Sequence, residues 1–143
     1  MKVIKILIFI IIALNAYAIK AQVSCSYYTS INFNKIGVGY EFSKNIWSDL
    51  RIYGGLSFDN FTIEPMIAFN YISNENFDLY LGAGYTLNYI NGPIFPLGLR
   101  IKPIEKYKNI KFHFEAEPNY NLDSEKLLFY CSFGIRYVFA KLE

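Results

Sequence analysis

From Gln22 onward, apolar and polar residues alternate with a period of two along almost the whole chain. A period of two is typical of β-strands whose two faces meet different surroundings, and no segment longer than a turn has helical spacing. Short stretches rich in Asn, Asp, Gly, Pro and Lys interrupt the alternation and indicate turns. The pattern therefore predicts an all-β fold of eight amphipathic strands, mostly about 9 to 13 residues long.

Two features leave the strand count and the strand boundaries open. The phase of the alternation flips near Asn34, and residues 30–43 would alternatively form one bulged strand, leaving seven strands. Pro65, Pro96 and Pro118 fall inside predicted strands, although proline cannot donate a hydrogen bond to a strand ladder. We expect bulges or strand ends near these three prolines.

Eight antiparallel strands with one apolar and one polar face favour a closed up-and-down β-barrel, because closure removes exposed edges. A soluble ligand-binding barrel turns its apolar face inwards, whereas an outer-membrane barrel turns that face toward lipid. Small residues relieve crowding inside a narrow barrel, so the position of glycine distinguishes the two. Seven of the nine glycines lie on the polar face, which predicts that this face is the inner one: Gly37, Gly39, Gly55, Gly82, Gly84, Gly98 and Gly134.

The charged residues of the polar face form a sparse and balanced set, whereas most lysines, Lys35 among them, are predicted in turns or at strand ends. Buried charges must be paired, and arginine pairs well with carboxylates. An eight-stranded barrel is only wide enough for side chains to fill it, so we expect ion pairs to plug the lumen, with a conducting path as the alternative. The predicted lumen network consists of Glu41, Arg51, Glu64, Arg100, Glu115, Glu117 and Arg136.

The apolar face is nearly free of charge and carries aromatic residues toward the strand ends. Aromatic side chains concentrate at the two interfaces of membrane proteins. The predicted aromatic girdle consists of Trp47, Phe58, Phe61, Tyr71, Phe77, Phe95, Tyr137 and Phe139. The apolar face is therefore predicted to be the lipid-facing exterior of the barrel.

Residues 1–21 have the three parts of a secretory signal peptide: a basic start at Lys2, an apolar run from Val3 to Leu14, and a small-residue cleavage site. Cleavage is expected after Ala18 or after Ala21. The apolar run is shorter than the roughly 20 residues that a spanning helix needs. The sequence therefore predicts an exported protein with one mature domain, residues 22–143.

Composition narrows the classes of function. The chain is 53% hydrophobic, 19% aromatic and 18% charged, which excludes a disordered or low-complexity protein. Without the three lysines of the leader, 11 basic residues face 12 acidic ones, and this near-neutral balance argues against a nucleic-acid partner. The single histidine excludes a multi-histidine metal site, the two cysteines do not form a disulfide framework, and we predict no metal or cofactor.

The mature region resembles the small outer-membrane β-barrel proteins of Gram-negative bacteria, the family of OmpX and of the OmpA membrane domain. The leader, the strand pattern, the strand at residues 81–85 and the final segment at residues 134–139 carry the resemblance. Members commonly end in an aromatic-alternating strand with Phe last, which the barrel-assembly machinery recognises, whereas four residues follow Phe139 here. The resemblance implies an outer-membrane location, contact with lipid and lipopolysaccharide, and a structural or surface-interaction role.

Two other functions are alternatives to a structural or surface-interaction role. His113, Glu115 and Ser132 would form the catalytic set of a lipid-modifying enzyme, but periodicity places all three in the lumen, away from a lipid substrate. A soluble periplasmic or secreted barrel that binds a hydrophobic ligand is the other alternative. We predict a barrel without catalysis.

Overall fold

A computed structural model describes residues 22–54, 60–103, 105–107 and 109–139 of the protein. A 3₁₀ turn spans Glu105–Tyr107, and no helix in these ranges is long and apolar enough to cross a membrane. The strands are β1 Gln22–Thr29, β2 Asn34–Glu41, β3 Ile46–Gly54, β4 Phe61–Ser73, β5 Phe77–Asn88, β6 Gly92–Ile94, β7 Leu97–Ile101, β8 Ile110–Asn121 and β9 Lys126–Val138. The predicted leader, Gly55, Phe58 and residues 140–143 lie outside the described residues.

The nine strand segments occupy eight positions around a closed antiparallel barrel, because β6 and β7 share one position between β5 and β8. Leu97 of β7 opposes Leu81 of β5, and Ile94 of β6 continues the same register. Pairing of β4 with β5 closes the sheet. The predicted eight-stranded barrel is confirmed. The seven-stranded alternative is wrong, since β1 and β2 are separated by a turn in which the Ser30 amide donates to the Phe33 carbonyl at 3.0 Å.

The pairing register determines the tilt of the strands. Starting at Ser24 and moving one strand at a time, the register partners are Gly39, Asp49, Met66, Gly84, Ile94, Asn119 and Leu128. Ser24 itself pairs with Val138, ten residues beyond Leu128. A stagger of ten residues is about 33 Å along strands that lie about 4.8 Å apart, so the eight strands tilt by about 40°. A barrel of this size holds an interior that side chains can fill.

The three prolines disturb the strands unequally. Pro96 lies in the break between β6 and β7, as expected. Pro65 lies within β4 and Pro118 within β8, and the register does not shift at either residue. The register shift in β4 instead lies between Asn70 and Ile72. No bulge or strand end lies at Pro65 or Pro118 itself. The expected irregularity is nevertheless present nearby, because the β4–β5 ladder has no paired residues at Glu64 and Pro65, and Pro118 lies opposite the break between β6 and β7.

The polar face of the sheet points into the barrel. Ile36, Val38, Leu50 and Ile52 on the other face are between 50% and 66% exposed, whereas Arg51 is fully buried. The same alternation runs through most strands. The predicted polar lumen and apolar exterior are confirmed. A soluble barrel with an apolar ligand cavity would need the opposite arrangement, so this burial contradicts that alternative.

Two inward-facing glycines show why small residues lie on the polar face. A Cβ atom at Gly134 would overlap the ring of Tyr28. A Cβ atom at Gly39 would overlap the side chains of Ser24 and Arg136. These positions leave the room that the large polar side chains of the neighbouring strands occupy.

Candidate functional site in the barrel lumen

The lumen has two open ends. We call the end where β1 begins, at Gln22, the proximal mouth, and the end where β1 finishes, at Thr29, the distal mouth. Between them, seven charged side chains from β2, β3, β4, β8 and β9 form one connected set, which we call the central cluster. None of these side chains is more than 2% exposed; they are Lys35, Asp49, Arg51, Glu64, Glu115, Glu117 and Arg136.

Arg51 lies at the centre of the central cluster. Its guanidinium holds Glu115 with two hydrogen bonds, from Nη1 to Oε1 at 2.6 Å and from Nη2 to Oε2 at 2.9 Å. The same group donates to Asp49 Oδ2 at 2.9 Å and to Glu64 Oε1 at 3.1 Å. A planar guanidinium can bond several carboxylates at once, which a lysine ammonium does with less defined geometry. Arg51 therefore connects β3 with β4 and, across the lumen, with β8.

Lys35 belongs to the lumen network, although the sequence analysis did not include it there. It lies near a strand end, as predicted, but its side chain points into the lumen. It lies in β2, is 1% exposed, and its Nζ donates to Glu64 and to Glu117, at 2.7 Å in both cases. Its position two residues before Gly37 already put it in phase with the polar face. The alternation therefore indicates an inward side chain, against the general preference of lysine for solvent.

A second set of charges, the proximal cluster, closes the lumen near the proximal mouth. Arg100 donates to Glu41 at 3.0 Å and to Asp78 at 2.8 Å. Lys111 also donates to Glu41 at 3.0 Å, and Lys102 to Asp78 at 2.9 Å. These side chains line a cavity of about 320 Å³ that opens at the proximal mouth.

An aromatic layer, formed by the mutually packed rings of Trp47, Tyr80 and His113, separates the two clusters. Trp47 is fully buried, with the guanidinium of Arg136 4.4 Å from its ring centroid and that of Arg100 5.2 Å away. Its indole nitrogen donates to Asn70 at 3.0 Å. The prediction that Trp47 belongs to the outer aromatic girdle is therefore wrong. Trp47 is two residues before Asp49 and shares its inward phase, so the arginines of the lumen have an aromatic face to pack against.

The ion pairs of the described residues are balanced, with six cations and six carboxylates. The seven residues predicted for the lumen network all take part in these ion pairs. The structure adds five residues that the prediction did not include: Lys35, Asp49, Asp78, Lys102 and Lys111. Asp49, Asp78 and Lys111 occupy inward positions two residues from another lumen residue, so periodicity alone could have found them.

Comparisons with known proteins agree on the architecture. One similar structure is a transmembrane β-barrel designed de novo, with a TM-score of 0.60, 16% identity, and coverage of 83% of this chain and 94% of the other. Another is the N-terminal β-barrel domain of Pseudomonas aeruginosa OprF, with a TM-score of 0.61, 12% identity, and coverage of 83% and 96%. No protein-family model and no curated protein sequence matches the chain.

The chain has the fold of the small outer-membrane β-barrels. Outer-membrane barrels carry aromatic girdles, and most of the predicted girdle residues lie on the outer face. Phe61, Tyr71, Phe95, Tyr137 and Phe139 are between 40% and 58% exposed, and Phe77 is half-buried.

The catalytic alternative depends on His113, which lies in the aromatic layer of the barrel lumen. His113 is fully buried, and its Nδ1 lies 3.4 Å from the hydroxyl oxygens of both Tyr28 and Tyr80. Glu115 is bonded to Arg51 and to Tyr80, and no hydrogen bond joins His113 to Glu115 or Ser132 within the described chain. The described residues also contain no group of three acidic, cysteine or histidine side chains placed to hold a metal ion. The arrangement packs His113 against aromatic rings and assembles no nucleophile and base.

Proposed function

We propose that this protein is a small outer-membrane β-barrel of a Gram-negative bacterium with a structural or surface-interaction role and no catalytic activity. The observation that carries the proposal is the combination of an apolar outer face with a lumen filled by paired charges. A surface of exposed Ile, Leu, Val and Phe side chains is stable only where lipid covers it. The fold shared with transmembrane barrels supports this placement.

The lumen of the proposed protein does not conduct ions. The central cluster, the aromatic layer and the proximal cluster follow one another along the barrel axis. Their side chains are buried except those of Glu41 and Lys102 near the proximal mouth, which are partly exposed. Each charge is held by at least one partner of opposite sign, so an ion passing through would have to break several charge-assisted hydrogen bonds. The network acts as a plug that also ties the strands together.

The proposed partners follow from the same surfaces. Lipid and lipopolysaccharide would cover the outer face, and the barrel-assembly machinery would insert the chain. A surface partner would contact the residues at a barrel mouth, because lipid covers the wall. Export by the leader at residues 1–21 remains the expected route.

Reconstitution tests the proposal. The refolded protein is expected to require detergent or lipid for solubility and to give no conductance steps in a planar bilayer where a general porin gives them. Regular steps with ion selectivity would contradict the plugged lumen and favour a pore. Recovery of folded protein from the soluble fraction without detergent would contradict the membrane barrel itself.

A further inference from the structure

The distal mouth contains a cavity of about 320 Å³ that none of the ion pairs uses, and we call it the distal vestibule. Its wall is aromatic, with Phe33, Tyr53, Tyr89 and Tyr130 among the lining side chains. Asn32 and Asn60 add amide groups, and the described lining residues carry no charge. The proximal mouth differs, because lysine, arginine and carboxylate side chains line its cavity.

Three of the aromatic rings hold one another in place. The Phe33 ring centroid lies 4.8 Å from that of Tyr53 and 4.9 Å from that of Tyr130. On the lumen side, the Lys35 ammonium lies 4.7 Å from the Tyr53 centroid and 5.1 Å from the Phe33 centroid. Lys35 is held by Glu64 and Glu117, so the rings of Phe33 and Tyr53 pack against a fixed cation of the central cluster. A ligand would meet a preformed aromatic wall.

The vestibule also has hydrogen-bonding capacity that the described residues do not satisfy. Tyr53 is 4% exposed, lines the cavity, and its hydroxyl has no hydrogen-bond partner in the described chain. A buried polar group left unpaired is unfavourable, so a ligand that supplies donors and acceptors here would gain affinity.

We propose that the distal vestibule binds one or two rings of a neutral saccharide. Aromatic rings pack against the apolar C–H face of a sugar, and the amides of Asn32 and Asn60 and the hydroxyl of Tyr53 bond its hydroxyl groups. The described lining residues carry no charge that would hold a phosphate or a carboxylate, and the ammonium of Lys35 behind the rings is already paired with Glu64 and Glu117. A cavity of about 320 Å³ is of the size that small ligands occupy. The inference rests on the surface-interaction role proposed above and gives that role a ligand class.

The test uses the ¹⁵N-labelled chain folded in dodecylphosphocholine micelles, which have no sugar headgroup. Methyl β-glucoside, methyl β-galactoside and N-acetylglucosamine are each titrated to about 50 mM, with indole and inorganic phosphate as the apolar and anionic probes. The migration of unboiled and boiled samples on SDS gels checks the fold of every sample. Amide shifts that saturate at Phe33, Tyr53 and Tyr130 with at least one saccharide are the expected result.

Two variants separate binding from structure. Tyr53→Phe keeps the ring and removes the unpaired hydroxyl, and we expect it to weaken saccharide binding by about 2- to 10-fold. Tyr71→Phe makes the same chemical change on the outer face and is expected to leave binding unchanged. Tyr130→Leu removes a stacking ring and is expected to abolish the shifts.

The remaining outcomes of the titration distinguish a wrong ligand class, a wrong site and a wrong proposed function. Saturation with indole or phosphate but with no saccharide would overturn the ligand class, and a folded barrel that binds no probe would overturn the site while leaving the proposed function intact. A chain that shows no boiling-dependent migration in micelles would overturn both.

Discussion

Replacing Arg51 by methionine tests whether the central cluster stabilises the barrel. Methionine has similar length and no charge, so the substitution removes the guanidinium while keeping much of the packing. Arg51 donates five hydrogen bonds, two to Glu115 and one each to Asp49, Glu64 and Tyr28. Without Arg51, the central cluster would hold two cations and four carboxylates, all buried.

The expected loss follows from these contacts. A hydrogen bond to a charged group contributes about 1.5–3 kcal/mol, but bonds in one shared network are not additive. Removal of one partner from a buried ion pair costs about 3–5 kcal/mol, because the remaining charges are left unpaired. We therefore expect Arg51→Met to lower the free energy of unfolding by about 3–5 kcal/mol.

Trp47 is the only tryptophan of the chain and is buried beside Arg136, so its fluorescence reports unfolding in urea from detergent micelles or lipid vesicles. Ile52→Met, at the next residue but on the outer face, is the matched control and is expected to change stability by less than about 1.5 kcal/mol. Adding Glu115→Gln to Arg51→Met should cost at least about 1 kcal/mol less than the two separate changes together. A loss below about 1 kcal/mol for Arg51→Met, or strict additivity, would refute the account of the cluster.

Three further predictions concern the inner and outer faces. Gly134→Ala is expected to lower the free energy of unfolding by about 1–3 kcal/mol, measured by urea titration, because the new methyl group displaces the Tyr28 ring; an unchanged midpoint would contradict this packing. Brominated acyl chains are expected to quench the fluorescence of Trp47 less than that of a tryptophan introduced at an outward position. Equal quenching would indicate that Trp47 faces lipid. Cys25 and Cys131, both exposed on the outer face, are expected to react in vesicles with a lipid-soluble maleimide and not with a charged one, whereas equal labelling by both reagents would argue against a lipid-covered wall.

Periodicity alone predicts most of this fold. The alternation around Leu50, Arg51 and Ile52 requires one face to differ from the other, and inward glycines such as Gly134 indicate which face is crowded. A closed barrel follows because an open sheet of eight strands would leave two edges unpaired. The stagger of ten residues does not follow from the pattern, because register depends on which residues meet across strands.

The lumen was predicted less completely, and the errors have physical causes. The residue type of Trp47 favours a position among interfacial aromatics, but its phase with Asp49 and Arg51 puts it inside. Lys35 is missing from the predicted network because lysine generally prefers solvent, a preference that two carboxylates at 2.7 Å override. The distal vestibule could not be predicted, because Phe33, Tyr53 and Tyr130 come from separate segments and meet only when the barrel closes.

The central claim is that the apolar face lies in lipid and the paired charges lie in a closed lumen. The most direct measurement folds residues 22–143 in detergent and compares boiled and unboiled samples on SDS gels, with circular dichroism of the same preparation. We expect strand-type circular dichroism and a compact band that changes its migration only on boiling, because the closed barrel resists SDS until heat opens it. A chain that folds in plain buffer and migrates identically before and after boiling would contradict the account.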